Sequence, residues 1–164
     1  MKSPVTDICD LNRELPPDAP DAPQWLVDAL QVPREEGWVN SDGCDVHYFR
    51  WGDPANPPLL LMHGFLAHAR CMAFIAPFLA EQYHVIAYDL SGMGDSGVRS
   101  SYPDAVRAQE VVDVARETGL FDHAIKPIVI AHSYGGHVGL AAMNDFHKLF
   151  GGLVVCDLMV LRPE

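Results

Sequence analysis

The stretch Pro127-Ile128-Val129-Ile130-Ala131-His132-Ser133-Tyr134-Gly135-Gly136 decides how the chain reads. A short run of β-branched residues stops at a serine, two glycines follow, and apolar residues then recur at helical spacing. The pattern predicts a strand, a sharp turn and a helix, with one hydroxyl at the apex. Such a turn forces the serine backbone into a strained conformation that lifts Oγ clear of the sheet. Ala131 and Gly135 are small enough to let strand and helix approach around it, and Gly136 allows close packing further on. A helix N-terminus beneath Ser133 offers unpaired N–H groups and a positive dipole end, which suit a developing oxyanion. The competing reading is plainer: Ser133 is an N-cap serine that closes the first turn of a helix.

Working outward, strand and helix alternate from residue 59 onward. Leu59–Met62 is a continuous apolar run that ends at His63-Gly64-Phe65, and Tyr83–Tyr88 is a second, ending at Asp89 and the glycine-rich loop Asp89–Gly97. Helical spacing fills Ala69–Glu81, where Pro77 kinks the helix or divides it in two, and Tyr102–Leu120, where Gly119 marks the C-terminal end. The elbow helix runs to about Phe146, and Gly151-Gly152 introduces a last strand, Leu153–Cys156, ending at Asp157. Short buried strands joined by crossover helices predict an α/β fold with a mostly parallel sheet. Ligands bind beyond the carboxyl ends of the strands in such sheets. His63, Asp89, Ser133 and Asp157 all fall just past those ends.

Upstream, residues 37–51 read as an N-terminal β-hairpin turning at Asp42-Gly43. Its return strand places Val46 and Tyr48, with Arg50, on one side and His47, Phe49 and Trp51 on the other. Trp25, Leu26, Ala29 and Leu30 make a short helical face closed by Pro33. Residues 1–24, rich in Asp and Pro, read as an irregular or disordered lead-in, which leaves 25–164 as the core domain.

A net charge of −11 argues against nucleic acid and anionic membrane as partners, since both call for a basic face. No apolar run approaches the ~20 residues of a membrane span. Met1-Lys2-Ser3-Pro4 is not followed by the apolar core of a signal peptide, so a cytoplasmic location is expected. Cys9, Cys44, Cys71 and Cys156 lie far apart without CxxC spacing, which points to reduced thiols rather than a zinc site or redox pair. The histidines and acids show no metal-ligand spacing, and Gly92-Met93-Gly94 lacks the full dinucleotide pattern. Neither a metal nor a cofactor is expected.

Four segments together carry a resemblance: Trp51-Gly52-Asp53-Pro54, Leu60-Leu61-Met62-His63-Gly64-Phe65, Tyr88 through Ser96, and Ile130 through Gly136. In order and spacing they resemble the N-terminal part of the α/β-hydrolase superfamily, over about residues 38–158. The resemblance implies an incomplete α/β-hydrolase fold whose cap and final strands are missing. It implies Ser133 as nucleophile and the backbone N–H groups of Phe65 and Tyr134 as the oxyanion hole. A serine at 133 argues against the dehalogenase and epoxide-hydrolase branches, which use an aspartate there. The loop from Asp89 is chiefly structural in the family.

A serine hydroxyl needs an adjacent base, and in this fold the acid and then the histidine follow the serine in the chain. Asp157 is the one candidate acid, conditional on a histidine to orient; the plain alternative is a strand-end residue capping a turn. None of the histidines is assigned as base. His137 reads as a core or interface residue and His147 as remote. His132 is expected to point to the other side of the turn. His63 and His68 belong with the oxyanion loop. His47, His84 and His123 carry no motif context. The expected function is a serine hydrolase acting on carboxylic esters or lactones, with its triad incomplete here. The alternative is a catalytically silent shortened hydrolase with a binding role. The expected partners are a small ester-like molecule and, through an uncovered sheet edge, a second copy or a complementing chain.

Overall fold

The computed structural model describes residues 22–158 of the chain. Most of the lead-in reading, on residues 1–24, therefore falls outside the described residues.

The elements in order are α1 (Gln24–Gln31), β1 (Glu35–Ser41), β2 (Cys44–Trp51), β3 (Pro58–Met62), a 3₁₀ turn at Ala69–Met72, α2 (Ala76–Ala80), β4 (His84–Tyr88), α3 (Asp104–Glu117), β5 (Ile128–His132), α4 (Tyr134–Phe146), a 3₁₀ turn at His147–Leu149 and β6 (Gly152–Cys156). They build one six-stranded sheet in the order β1-β2-β4-β3-β5-β6. β1 and β2 form the expected hairpin, and both central turn residues have positive φ, Asp42 at 45° and Gly43 at 76°. That twist suits a two-residue hairpin. β2 joins β4 antiparallel, and β4, β3, β5 and β6 run parallel, with Leu60 opposite Ile86 and Ala131 opposite Val155.

β3 and β4 are buried at every position, which is why they read as unbroken apolar runs. Alternate residues face two cores. Val46, Leu60, Met62, Ile86, Tyr88, Val129 and Ala131 pack against α3 and α4. Phe49, Trp51, Leu59, Leu61, Val85 and Ala87 pack against the Ala69–Met72 turn and α2, with Leu30 of α1 beside them. Pro77 sits in the first turn of α2, so it divides the upstream helical pattern rather than kinking one helix.

The two sheet edges differ. β1 carries Glu35 and Glu36 on its exposed positions, a charge pattern that discourages strand addition. At the other edge Val154 of β6, opposite Ile130 in register, is 49% exposed. Ile128 on the same face of β5 is also exposed.

One polar cluster lies inside the first core. Glu110 of α3 is fully buried and accepts the Ser91 N–H at 3.0 Å. Arg107 donates to the Ser91 carbonyl at 2.8 Å and stacks 4.4 Å from the Tyr102 ring. Arg99 reaches Glu110 at 3.2 Å and the Ser41 carbonyl at 2.8 Å. The cluster thus pins the loop after β4 to α3 and to the hairpin turn. Removing one member of a buried ion cluster leaves the others uncompensated. Glu110→Gln is therefore expected to lower unfolding stability by about 3–5 kcal/mol in denaturant titrations; a loss under ~1 kcal/mol would show that the two arginines find other partners.

Candidate active site

Ser133 lies between β5 and α4 with φ 50° and ψ −117°. That is not the β-region backbone of a capping residue, and its side chain makes no capping hydrogen bond to α4. The conformation costs about 1–3 kcal/mol and persists only where its surroundings dictate it. Here they do. The Ser133 N–H donates to the Cys156 carbonyl at 2.8 Å, and the Ser133 carbonyl accepts the Gly136 N–H at 2.8 Å. A Cβ on Gly135 would lie 2.6 Å from the His63 carbonyl oxygen, and one on Gly136 would lie 2.7 Å from Val155 Cγ1. Only glycine lets α4 start this close to β3 and β6.

The same contact brings the His63-Gly64-Phe65 loop to the elbow. A Cβ on Gly64 would meet both His132 Nδ1, at 2.9 Å, and Ser133 Cβ, at 3.3 Å. The Phe65 and Tyr134 rings meet edge to face at 5.7 Å. Among the described residues neither the Phe65 nor the Tyr134 amide donates to a protein acceptor. Leu66, next in the loop, has φ 56° and is exposed.

His63 is locked as a neutral ring. Its Nδ1–H donates to the Gly64 carbonyl at 2.7 Å, and its Nε2 accepts the Leu90 N–H at 3.0 Å. Burial pushes its pKa down, against the opposing pull of the Gly64 carbonyl and the Asp89 charge. It fastens the His63-Gly64-Phe65 loop to the residue after Asp89.

Asp89 is the hub of the next loop. Its carboxylate accepts His47 Nδ1–H at 2.8 Å, the Ala69 N–H at 2.5 Å and the Asp95 N–H at 3.0 Å. A Cβ on Gly94 would collide with that carboxylate, so the loop closes on it only with glycine there. The Glu36 carboxylate lies 3.2 Å from His47 Nε2. His47, Asp89 and Asp95 are near enough to hold a cation, but Asp89 is occupied by these donors and Asp95 pairs with Arg70 at 2.7 Å.

Asp157 stands just past β6 with φ 57°. Its side chain is 90% exposed and lies 4.0 Å from Nε2 of His132, itself 52% exposed. Exposed contacts of that length contribute little. The His132 ring lies against Gly64, where an added Cβ would sit 2.9 Å from its Nδ1. His137 is exposed on α4 instead of lying in a core, and it lines an open cavity of about 590 Å³ with Asp104, Tyr134 and Leu140. Ser133 does not line that cavity. Among the described residues nothing hydrogen-bonds Ser133 Oγ.

Comparison with known proteins follows this geometry closely. The profile of the Alpha/beta hydrolase family matches residues 59–164. The chain belongs to that family. It is 28% identical over 116 residues to an uncharacterised hydrolase of Bacillus subtilis, covering 70% of this chain and 41% of the relative. It is 30% identical over 132 residues to a soluble epoxide hydrolase of Corynebacterium, covering 80% and 43%. Among solved structures a bacterial membrane phospholipase A superposes with a TM-score of 0.72 at 30% identity, covering 79% of this chain and 41% of that one. The chain therefore spans about two fifths of the length of these relatives.

The polar residues that hold this family loop in place, His47, Arg99, Arg107 and Glu110, carry no local sequence signal. The Asp89–His47 pair sets a pH window. Burial alone would raise the Asp89 carboxyl, but the hydrogen bonds and charge of His47 and the two amides outweigh it and hold it below its ordinary 3.8. Burial alone would lower His47, but Asp89 and then Glu36 outweigh it and raise it above 6.5. Asp89 thus stabilises the fold above about 3.8, and this is lost as pH falls through its depressed value. His47 stabilises it below about 6.5, and this is lost as pH rises through its raised value. Unfolding free energy measured against pH is expected to fall off on both sides of that interval; in Asp89→Asn both slopes should flatten.

Proposed function

We propose that this chain carries the nucleophile and oxyanion half of a serine hydrolase acting on carboxylic esters or lactones. One observation carries the reading: Ser133 is held at φ 50° with a hydroxyl that caps nothing, beside two undonated amides at Phe65 and Tyr134. A serine in that state is presented to a ligand rather than to its own helix. In the proposed reaction Ser133 Oγ attacks the acyl carbonyl. The Phe65 and Tyr134 N–H groups hold the oxygen as it takes up charge; collapse breaks the ester C–O bond and expels the alcohol with the proton that Ser133 gives up, and water then adds to the acyl-serine, releasing the carboxylic acid and restoring the Ser133 hydroxyl.

Serine, unlike a carboxylate, gives an acyl-enzyme from an ester, which favours acyl transfer over epoxide opening despite the epoxide-hydrolase relative. The structural neighbour named a phospholipase A belongs by that name to the ester-cleaving hydrolases. No described histidine is assigned as the proton acceptor; His63 has both nitrogens committed and His47 is held between Asp89 and Glu36. Asp157 is proposed as an acid that acts only once such a base is in place. The uncovered edge at β6 is the surface where a second copy or a complementing chain would pair. No helix among the described residues is long and apolar enough to cross a membrane.

A fluorophosphonate probe tests the nucleophile, because it needs only a presented hydroxyl. Slow labelling of the wild-type chain that vanishes in Ser133→Ala is the expected result. A wild-type chain, folded by circular dichroism, that labels no faster than Ser133→Ala would leave the silent, binding-only alternative. Sedimentation tests the edge: association that grows with concentration and weakens in Val154→Lys is expected, and a monomer at every concentration would remove that surface from the proposal.

A further inference from the structure

Arg107 of α3 is 3% exposed, and its guanidinium is fastened on several sides. Nη1 donates to the Ser91 carbonyl at 2.8 Å and to Ser91 Oγ at 3.0 Å, and it lies 3.4 Å from Glu110 Oε1. Cζ sits 4.4 Å from the centre of the Tyr102 ring. That ring is fixed in turn: the Tyr102 hydroxyl accepts the Arg99 N–H at 3.1 Å, and a Cβ on Gly92 would collide with the same oxygen. The loop after β4 and α3 thus hold a buried positive charge at a set position.

One contact of Arg107 leads out of this cluster. Cζ lies 5.9 Å from the centre of the Tyr134 ring, within the roughly 6 Å over which a ring attracts a cation. Tyr134 is half-buried in the first turn of α4, and its ring meets Phe65 edge to face at 5.7 Å. Phe65 is 64% exposed and makes no other ring contact among the described residues. Tyr102, Arg107, Tyr134 and Phe65 therefore form one series of contacts, from a fixed cation in the core to a ring at the surface. The two outer rings belong to the residues whose backbone N–H groups are proposed to hold the oxyanion. Such donors work only at a set distance from the atom that takes up charge. Phe65 sits in a loop and Tyr134 on a helix, so a shared support is needed to keep the two in step.

We propose that Arg107 is a positioning residue for both amides: its guanidinium anchors the Tyr134 ring, and that ring holds Phe65. The assignment rests on the reading of Ser133 as nucleophile with the Phe65 and Tyr134 amides as its oxyanion hole. It gives the buried cation a task beyond its pair with Glu110. Arg107 is too buried to touch a substrate, so its loss should slow the chemical step and leave binding alone.

The test uses the whole chain. The ring protons of Phe65 report the contact directly, because the neighbouring Tyr134 ring displaces their chemical shifts. In Arg107→Met they should move toward the values of free phenylalanine. In Val85→Ala, a destabilising change in the second core, they should stay. Fluorophosphonate labelling of Ser133, resolved into a maximal rate and a binding constant, gives the second readout. Arg107→Met should lower the maximal rate at least tenfold with the binding constant unchanged. Tyr134→Leu, which keeps its amide, should act alike, and the double variant should be no slower than the slower single. Val85→Ala should label as wild type although its thermal midpoint falls. Where Arg107→Met does not fold, Arg107→Lys carries the same comparison, since it keeps a charge for Glu110 but not the planar group against the rings. The proposal is overturned by Phe65 shifts that do not respond to Arg107, by losses that multiply in the double variant, or by equal slowing in Val85→Ala. A wild-type chain that does not label, with Phe65 shifts that do respond, overturns the Ser133 reading and leaves the anchoring of both rings standing.

Discussion

The carbonyl oxygen of His63 and the first turn of α4 lie so close that no side chain fits between them, and the elbow at Ser133 is built on this contact. Gly135 allows it, and a Cβ there would sit 2.6 Å from that oxygen. The approach fixes the start of α4 against the end of β3. Ser133, one peptide upstream of Tyr134, then has little freedom left: its N–H is taken by the Cys156 carbonyl and its carbonyl by Gly136. Positive φ at a residue with a Cβ is the result of these constraints, not a local preference of serine. The same approach sets Phe65 beside Tyr134, so the strained residue and the two open amides share one cause.

Behind this contact stands a relay of polar groups that keeps the loops from relaxing. His63 ties the loop after β3 to the backbone of Leu90. Asp89, next to Leu90, gathers β2 through His47, the 3₁₀ turn through Ala69 and its own loop through Asp95. Ser91 continues the line into Glu110 and Arg107 of α3. Arg107 also lies 5.9 Å from the Tyr134 ring, which brings the chain of contacts back to the elbow. His47, His63, Asp89, Ser91, Arg107 and Glu110 are buried and hydrogen-bonded, so a change at one is transmitted as the loss of a hydrogen bond rather than absorbed by solvent.

How much of this could be read from the sequence follows from range. The elbow, the Asp42-Gly43 turn, the Pro77 break and the buried strands β3 and β4 are local facts, set by residues a few positions apart. They were accessible to periodicity and turn chemistry, and the order of the family segments then made the fold plain. The His47–Asp89 pair spans 42 positions, and nothing about His47 in its strand distinguishes it from a surface histidine until the sheet is assembled. The buried face of α3 misleads in the same way, because Arg107 and Glu110 look like solvent residues on a helix whose interior they occupy. Asp157 is the reverse case, a residue easy to single out whose exposure leaves it with little to act on.

Presenting a serine and activating it are separable tasks in this architecture. The proposed nucleophile is held by β3, β5, β6 and α4, all of which lie within residues 58–156. None of the groups that strain it is a titratable side chain with a proton to accept. His63, in the loop after β3, serves as a fastener, and releasing it to act as a base would free the loop that carries Phe65. The scaffold therefore gains its rigidity by committing the histidines it holds there. Under the proposed reaction a base would approach along β6, beside Asp157 and His132, where Val154 is exposed.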